Sequence, residues 1–585
     1  MTSRARTFIM CLLCAGFLAL TAVTQPRAIR ARADAGLEMN TITEGVPASI
    51  AIATTALGGF RGLLVDLLWM RCQSMKQDGK FYEMAQLYDW ITNLEPHYPH
   101  VWAFAGWDMA YNVSVDVEPQ ERWFWVRRGI HLIQDKGMRL NRNDPDIPFE
   151  LAWIYFHKIG NMLDYGHVYY RTALAFEMEQ LFGGPCDRRQ LEILAAMPER
   201  EEDMCRDEGV LRLQDAIGES GLDPVKDYNA LRHAPELKNK PWQAAFNAPE
   251  HAPTLERIFN FHVARRLRDE YNMDPARMLA LNTAYGPIDW RSCDAWSLYW
   301  AVVARDNALR RWGENKLIMK YERLVYFSLG NMVERGAIRF SSDGFVYEVP
   351  DYHFLPGWID YMTAVIDGAK VKKTEKGETP NVIGIESALQ YGLRDAIVNY
   401  YFNGLLDQAN TYMKILTTRY PDPKNQIPTV EGFVMREMQD FIDSVSKERL
   451  LGVIEGLLRN SYIRLALGDV DQHKAMQVNA ETMHKYGKKR YPVEVADPNE
   501  TANMGYIPPL RDMSADVLMR LVDGDDPSLT PAARERLKAA VPESVMREAE
   551  VIYKNKKRIA DSLRKETRPD GGGDGGSAGA PAGQP

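Results

Sequence analysis

Residues 63–96, LLVDLLWMRCQSMKQDGKFYEMAQLYDWITNLEP, carry two apolar patterns at helical spacing with a turn between them. Leucine, methionine and aromatic residues recur every three or four positions on both sides of Asp78–Gly79, and Pro96 ends the second run. The pattern predicts a helix–turn–helix unit, because glycine lets the chain leave a helix at positive φ and proline cannot continue one. A single unit of this kind cannot bury its apolar face, so stacked neighbours and an extended α-solenoid are expected.

The spacing resembles the 34-residue tetratricopeptide repeat, in which a glycine ends the first helix and a proline closes the second. Met84 stands where that family prefers alanine, which predicts a slightly wider helix pair. The resemblance implies an all-α, tetratricopeptide-like α-solenoid of antiparallel helix pairs. Five residues fall at the matching offsets: Gly79, Phe81, Tyr88, Leu94 and Pro96.

Further helix pairs follow the same pattern along the chain. They are predicted in the ranges 101–140, 149–178 and 393–421, with a weaker pair around Gly468. Seven of the thirteen tryptophans lie between Trp69 and Trp153, where they would fill the gaps between successive pairs. Aromatic residues at this spacing are therefore interpreted as core residues rather than ligand contacts.

One short segment departs from the helical pattern. Ile338–Phe340 and Phe345–Tyr347 flank an Asp-Gly dipeptide, which predicts a small β-hairpin. The predicted organisation has six regions: a signal anchor and linker (1–45), N-terminal helical repeats (46–180), an irregular insertion with short helices (181–253), a central helical region with the hairpin (254–382), C-terminal helical repeats (383–565) and a disordered tail (566–585).

The N-terminus carries a targeting signal. Arg4 and Arg6 precede an apolar run, Phe8–Val23, which is typical of a secretory signal. We expect an uncleaved anchor in the cell inner membrane, with the body of the chain in the periplasm. The alternative is a cleaved, exported protein.

A second apolar stretch covers Val46–Met70. As a membrane span it would return the body of the chain to the cytoplasm. However, Gly58 and Gly59 interrupt it, and its second half belongs to the first repeat helix. A buried or membrane-surface helix is therefore the favoured interpretation.

The first candidate binding segment lies at the end of this stretch. Arg61 and Asp66 would be costly in an apolar helix unless they are paired, and at a separation of five they pair poorly with each other. Partners elsewhere are therefore expected, with Trp69 as a third candidate binding residue. The segment resembles the opening of tetratricopeptide-type envelope proteins from several bacterial groups, planctomycetes among them.

The second candidate segment is Asp289–Trp290–Arg291, which follows a Gly-Pro turn and precedes a Trp- and Tyr-rich helix. Asp289 is expected to cap that helix. Trp290 and Arg291 could stack on a ligand or bind an anion. Two interpretations stay open: a structural helix-entry turn, or part of a sugar- or peptide-binding groove.

Composition and motifs exclude several classes of protein. A net charge of −8 without a basic stripe argues against a nucleic-acid partner. No phosphate-binding loop, dinucleotide fingerprint, haem motif or zinc-protease motif occurs, so neither cofactor nor metal is expected. His97 and His100 are interpreted as exposed turn residues. Cys186 and Cys205 could pair in an oxidising compartment or remain free thiols.

The leading functional hypothesis is a non-catalytic, membrane-anchored repeat scaffold that binds an envelope protein or peptide, with its oligomeric state left open. The competing hypothesis is an all-α toroid, enzyme or binding protein, that acts on polysaccharide. Hydrolysis would need paired carboxylates, for which Glu150, Asp289 and Asp294 are candidates. A regulator that faces the cytoplasm follows only if Val46–Met70 spans the membrane.

Overall fold

The protein is all-α, as predicted: two four-residue strands are the only regular elements that are not helices in the described part of the chain. The computed structural model describes residues 61–161, 164, 166–218, 221–229, 241–313, 318–340, 346–349, 351–371, 382–402, 404–491, 507–524 and 529–566, together with Gly16, Thr24 and Arg27. The apolar run Phe8–Val23 apart from Gly16, the first half of Val46–Met70, the Asp-Gly turn and residues 567–585 of the predicted tail therefore lie outside the described residues.

The described residues form two compact units. Unit 1 comprises the described residues within 1–338 and 348–361, and unit 2 comprises the described residues within 339–347, 362–371 and 381–585. The helices before the strands are α1 (Arg61–Gln77), α2 (Phe81–Leu94), α3 (Pro99–Asp108), α4 (Pro119–Leu132), α5 (Asp146–Trp153), α6 (His167–Phe182), α7 (Arg188–Ala195), α8 (Glu201–Cys205), α9 (Glu208–Ile217), α10 (Pro241–Phe246), α11 (Ala252–Asp269), α12 (Pro275–Tyr285), α13 (Cys293–Trp312) and α14 (Ile318–Arg335).

The remaining elements begin with the predicted strands. β1 and β2 pair in a two-stranded sheet, which confirms the strands expected on either side of the Asp-Gly dipeptide. The elements in chain order are β1 (Ala337–Phe340), β2 (Val346–Val349), α15 (Phe354–Val371), α16 (Ile383–Phe402), α17 (Leu406–Arg419), α18 (Val430–Ser444), α19 (Lys447–Ala466), α20 (Val470–Arg490), α21 (Leu510–Asp523), α22 (Pro531–Ala540) and α23 (Glu543–Glu566).

Helices α1 and α2 are the pair predicted for residues 63–96, and they pack against each other. Gly79 adopts φ 71° in the turn between them, and a Cβ placed there would meet no atom within 4 Å. The glycine is thus required by its backbone conformation and not by lack of space. Val65 and Leu68 of α1 share one apolar core with Met84 and Ile91 of α2.

A buried carboxylate joins this pair to α3. Asp108 is 1% exposed and accepts hydrogen bonds from Lys76 Nζ at 2.5 Å, the Tyr88 hydroxyl at 2.8 Å and Asn112 Nδ2 at 2.6 Å. A buried charge is tolerated only when it is paired and hydrogen-bonded, and Asp108 meets both conditions. The three helices are therefore fixed to one another by a polar network as well as by apolar packing.

Two glycines let α3 and α4 approach closely. A Cβ on Gly129 would lie 2.4 Å from the Gly106 carbonyl oxygen, and a Cβ on Gly106 would lie 2.4 Å from Cδ1 of Ile133. No side chain larger than hydrogen fits between the two backbones at this crossing.

Three helices in the described part of unit 1 contain a π-helical turn. These turns are Met109–Val113 after α3, Ile133–Gly137 after α4 and Ile154–Ile159 after α5. The α4 helix then ends with one further turn, Met138–Leu140. Because π turns occur mostly as single insertions in α-helices, often at functional sites, the side chains they carry are of particular interest.

Helix α13 is buried along most of its length and packs against α5 and α14. Trp296 and Trp300 are at most 1% exposed, in line with the predicted core role of aromatic residues. Between α6 and α11, in the region predicted to be irregular, lie the short helices α7 to α10. Asp187 and Asp207 cap α7 and α9, accepting from Gln190 N at 2.8 Å and Gly209 N at 2.9 Å.

Unit 2 repeats the glycine-turn arrangement. Gly404 adopts φ 74° between the contacting helices α16 and α17, and Gly468 adopts φ 84° between α19 and α20. The break at Gly468 was predicted from the sequence, and the break at Gly404 falls within the helix pair predicted for residues 393–421. Leu450, Leu458 and Leu518 belong to one apolar core that α19 shares with α21. In the described parts of both units, no helix combines the length and the apolar character that crossing a membrane would require.

Candidate functional site

A row of aromatic side chains follows α1, α3 and α5 of unit 1 and ends on α14. We call it the aromatic face. Its rings belong to Trp69, Phe104, Trp107, Tyr111, Phe149, Trp153, Phe156, His157 and Phe327. Phe104 and Phe327 are each 41% exposed and the other seven are half-buried. Monomeric proteins rarely leave so many aromatic rings in contact with solvent, which makes this surface the leading candidate for binding.

The rings form a continuous chain of contacts. From Trp69 the ring centroids are 5.2 Å to Phe104, then 6.1 Å to Trp107 and 5.7 Å to Tyr111. Tyr111 lies 5.7 Å from His157, which stacks on Trp153 at 4.7 Å with 15° between the planes. Each spacing is typical of interacting aromatic pairs.

Two branches leave Trp153. Phe149 stacks on it at 6.4 Å and 12°. On the other side, Phe156 lies 5.6 Å from Trp153 and stacks on Phe327 at 5.6 Å and 10°. The ring planes are therefore nearly parallel within each stacked pair, and the two pairs are tilted by 44° where Trp153 meets Phe156.

The π turns position the centre of this face. Tyr111 lies in the turn after α3, and Phe156 and His157 lie in the turn after α5. The Tyr111 hydroxyl is 3.2 Å from His157 Nδ1, and Lys158 Nζ lies 5.5 Å from the centre of the Tyr111 ring. Burial, together with the charge of Lys158, lowers the pKa of His157. A neutral imidazole nitrogen can accept a hydrogen bond from the tyrosine hydroxyl, so the two helices are joined at this point.

Lys158 forms a buried ion pair with Asp164. It is 4% exposed and its Nζ lies 2.6 Å from Asp164 Oδ2. Burial alone would raise the pKa of Asp164, but hydrogen bonds from Lys158, Gly166 and Tyr170 lower it to about 2. Asp164 is thus ionised at neutral pH, and the pair supports the π turn without offering a free charge to a ligand.

Glu150 follows Phe149 of the aromatic face in α5 and carries no ion pair among the described residues. Its Oε1 atom is buried and has no hydrogen-bond partner there. Burial raises its pKa to about 7, with Asp146 adding to the rise and Lys320 opposing it. Asp146, one turn earlier, is engaged by Lys320 Nζ at 2.8 Å and the Tyr321 hydroxyl at 2.9 Å.

The residues predicted at the start of α1 are placed differently from expectation. Asp66 is exposed, so its charge is solvated by water and the expectation that it must pair with a residue elsewhere is wrong. Arg61 begins α1, and its side chain lies outside the described part of the structure. Trp69 contacts Tyr88 at 5.4 Å and Phe104 at 5.2 Å, which places it in the aromatic face.

The second predicted segment forms a closed ion network. Arg291 is 5% exposed, and it donates to both carboxylate oxygens of Asp289 at 2.8 Å and to Glu179 Oε2 at 2.7 Å. Two carboxylates of the chain therefore already occupy the guanidinium group that was expected to bind an anion. Trp290 is 0% exposed and donates to Asn282 Oδ1 at 3.1 Å, so its ring presents no surface to a ligand.

Two further expectations change at this segment. The cap of α13 is Ser292, which accepts from Asp294 N at 3.2 Å, so the cap predicted at Asp289 is wrong. Asp289 is instead held by Arg291 and by the Ile338 amide at 2.9 Å. Asp294, a candidate catalytic acid, is 0% exposed and accepts from Arg335 Nε at 2.8 Å and from Asn331 at 2.9 Å.

The thiols of the body are free. Cys186 is buried, Cys205 is partly buried, and the two do not form a disulfide. Burial raises the pKa of Cys72 to about 12 and also raises that of Cys186. Among the described residues, no three His, Cys, Asp or Glu side chains come together as they would to hold a metal ion.

Comparison of the chain with protein families, with curated proteins and with solved structures finds no match. Its function is therefore inferred from the side chains of the aromatic face. Sequence reasoning missed Trp107, Tyr111, Trp153 and His157 as surface residues because aromatic residues at helical spacing usually belong to a core. The useful signal was a second aromatic stripe on the same helices, offset from the buried Trp102 and Leu151.

Proposed function

We propose that this protein is a non-catalytic, tetratricopeptide-like scaffold of helix pairs that binds an envelope protein or peptide along the aromatic face. The observation that carries the proposal is the continuous row of partly exposed rings on α1, α3 and α5. Aromatic side chains provide large contact area at low entropic cost, and they are enriched among the residues that dominate binding energy. A row of rings suits an extended segment of a partner chain.

The arrangement of helices supports the repeat character of the proposed scaffold. Helix α3 contacts both its sequence neighbour α4 and the first helix of the next pair, α5. In a repeat stack, the first helices of successive pairs lie side by side and form one binding surface. The rings of Trp69, Trp107 and Trp153 come from three such first helices.

The proposed anchor is the apolar run Phe8–Val23 in the cell inner membrane, with the body of the chain in the periplasm. The exposed side of α1 is compatible with a position close to lipid. Leu63, Leu67 and Met70 are 59%, 59% and 61% exposed and follow one stripe of the helix. Reporter fusions after residues 40 and 180 test the topology: both reporters should be active outside the cytoplasm.

The binding proposal is tested with a face variant, Phe104→Ala/Trp107→Ala/Trp153→Ala. The control is Tyr169→Ala, which removes a ring that is 53% exposed on α6, outside the aromatic face. Each protein is used as bait in detergent-solubilised membranes, and the bound proteins are identified by mass spectrometry. The wild type and the control should recover the same partner, and the face variant should lose it. Failure of the wild type to recover a reproducible partner would contradict the proposal.

A second candidate, polysaccharide binding, is favoured by the near-parallel rings of Phe149, Trp153 and His157, since sugar rings stack on flat aromatic surfaces. Hydrolysis is not proposed, because the neighbouring Asp146 is paired with Lys320, and the other two candidate acids, Asp289 and Asp294, are paired with Arg291 and Arg335. Electrophoresis through gels that contain soluble polysaccharide separates the candidates. Retardation of the wild type and of Tyr169→Ala, but not of the face variant, would favour the sugar ligand.

A further inference from the structure

A second surface of unit 1 has a different chemistry. A cavity of about 670 Å³ lies where three chain segments meet. His97 and Pro99 contribute from the turn between α2 and α3. Residues 140–144, which precede α5, and the last turns of α13 supply the other walls. No aromatic ring of the aromatic face lines this cavity.

The charges around the cavity are unbalanced. Three arginines line it, Arg142, Arg310 and Arg311, against a single acidic residue, Asp144. In the described part of the chain, neither Arg142 nor Arg310 has an ion-pair partner, and both are exposed. Like charges gathered around one concave surface repel one another and raise the local concentration of anions.

Asp144 cannot neutralise more than one of the three arginines. Its Oδ2 accepts from Arg311 Nη1 at 2.8 Å. Its Oδ1 accepts from the backbone amides of Asp146 and Ile147 at 2.9 and 3.3 Å. Both carboxylate oxygens are thus occupied, and Arg142 and Arg310 have no neutralising carboxylate among the described residues. Arg310 donates one N–H group to Asn307 Oδ1, which leaves its other N–H groups for a ligand.

The walls of the cavity are fixed by side-chain amides. Asn307 is 1% exposed, and its Nδ2 donates to the carbonyl oxygens of Arg142 and Asp144, both at 2.9 Å. Asn141 Nδ2 donates to the Pro96 carbonyl at 2.9 Å, which ties the segment before α5 to the turn after α2. The backbone that carries Arg142 is therefore held in place before any ligand arrives, which lowers the entropic cost of binding.

A structural role explains only part of this arrangement. Arg310 and Arg311 lie in the last turn of α13, where positive charge is favoured by the helix dipole. That effect gives no reason for Arg142 and His97, from two other segments, to line the same cavity. Guanidinium groups bind phosphate and carboxylate oxygens through paired N–H donors, which is the chemistry that this set of side chains shares.

We propose that this cavity binds a small multivalent oxyanion bearing phosphate or carboxylate groups, held chiefly by Arg142 and Arg310. The site is independent of the aromatic face and of its partner. Binding should weaken as ionic strength rises, because both guanidinium groups are exposed to solvent and their attraction is screened.

Isothermal titration calorimetry on the full chain tests the proposal, with pyrophosphate and citrate as separate probes at constant ionic strength. The test variant is Arg142→Gln/Arg310→Gln. The matched control is Arg212→Gln, which removes an exposed arginine of α9 outside the cavity. The wild type and the control should bind at least one probe with equal affinity, and the double variant should lose about tenfold per arginine. The probe that binds more tightly identifies phosphate or carboxylate as the preferred group.

Two results would overturn the site: neither anion binding the wild type at millimolar concentration, or the double variant binding as tightly as the control. Circular dichroism and the thermal midpoint of each variant should match the wild type. Both replaced side chains are exposed, so loss of affinity in a folded variant would report on the cavity itself.

Discussion

The hydroxyl of Tyr111 lies 3.2 Å from Nδ1 of His157, and each residue belongs to a π-helical turn of a different helix. The contact joins α3 and α5 in the middle of the aromatic face. Because a π turn widens the helix locally, it changes the direction of the side chains that it carries. The two turns thus place a polar link inside an otherwise aromatic surface.

Removing this link should cost little stability. Tyr111→Phe should lower the free energy of unfolding by about 1 kcal/mol, the usual net value of one intramolecular hydrogen bond. Urea denaturation followed by tryptophan fluorescence gives the value. His157→Gln and the double variant complete a mutant cycle, and additive effects of the two changes would show that the residues do not interact.

Glu150 should give stability an unusual pH dependence. Its folded-state pKa, about 7, lies above that of an exposed glutamate, so the folded chain binds more protons than the unfolded chain between about pH 4.5 and 7. The contribution of Glu150 to the free energy of unfolding therefore falls as pH rises through this window and is constant above it. Glu150→Gln should remove this decrease, so its free energy of unfolding at pH 8 should exceed that of the wild type by on the order of 1–3 kcal/mol.

The control for that series is Glu83→Gln, which changes an exposed glutamate of α2. Its stability should follow the wild type at every pH. Identical pH profiles for Glu150→Gln and the wild type would show that Glu150 is not buried in the folded protein.

Asp108 should be among the most sensitive polar positions of unit 1. Asp108→Ala leaves Lys76 and the buried Tyr88 hydroxyl without their acceptor, and should cost about 3 kcal/mol. Asp78→Ala, at the exposed turn of the same helix pair, should change the stability by less than about 0.5 kcal/mol. Equal urea midpoints for the two variants would contradict this assignment.

Gly129 tests the close crossing of α3 and α4. Gly129→Ala would bring a methyl group to 2.4 Å from the Gly106 carbonyl oxygen, so the helices must move apart at a cost of about 2 kcal/mol. Gly62→Ala is the control, because its Cβ meets nothing within 4 Å and alanine favours the helix by up to ~1 kcal/mol. The thermal midpoint should fall for the first variant and stay or rise for the second.

Thiol reactivity should separate the cysteines of the body. Cys205 is partly exposed and should react first with a thiol reagent, whereas Cys72, Cys186 and Cys293 are buried and should react only on unfolding. Peptide mass spectrometry after timed alkylation assigns each site. A Cys186–Cys205 disulfide peptide from the native protein would contradict the free thiols.

The helix pairs could be predicted because turn residues and apolar spacing are local signals. Gly79, Gly404 and Gly468 each adopt the positive φ that a glycine stop implies. The α3–α4 crossing depends on Gly129 meeting Gly106, which are 23 positions apart in the chain, and only folding brings these two backbones together. The signal for the strands beside the Asp-Gly dipeptide is equally local, and these strands were predicted correctly.

The candidate site could not be predicted in the same way. A stripe of aromatic residues has the same spacing whether it faces the core or solvent, so Trp107 and Trp102 look alike in the sequence. Arg291 has the residue type of an anion-binding site, but Glu179, 112 positions away, occupies it. Burial and long-range pairing decide both cases, and neither is encoded in local spacing.

The three π turns described above also affect how the proposed 34-residue repeat should be sought in the sequence. Each turn closes its hydrogen bonds around one more residue than an α-helical turn does. The register of a 34-residue repeat along the sequence therefore shifts by one position after Val113, again after Gly137 and again after Ile159. Alignments that allow a single-residue gap inside these helices should bring the second and third pairs into phase with the first.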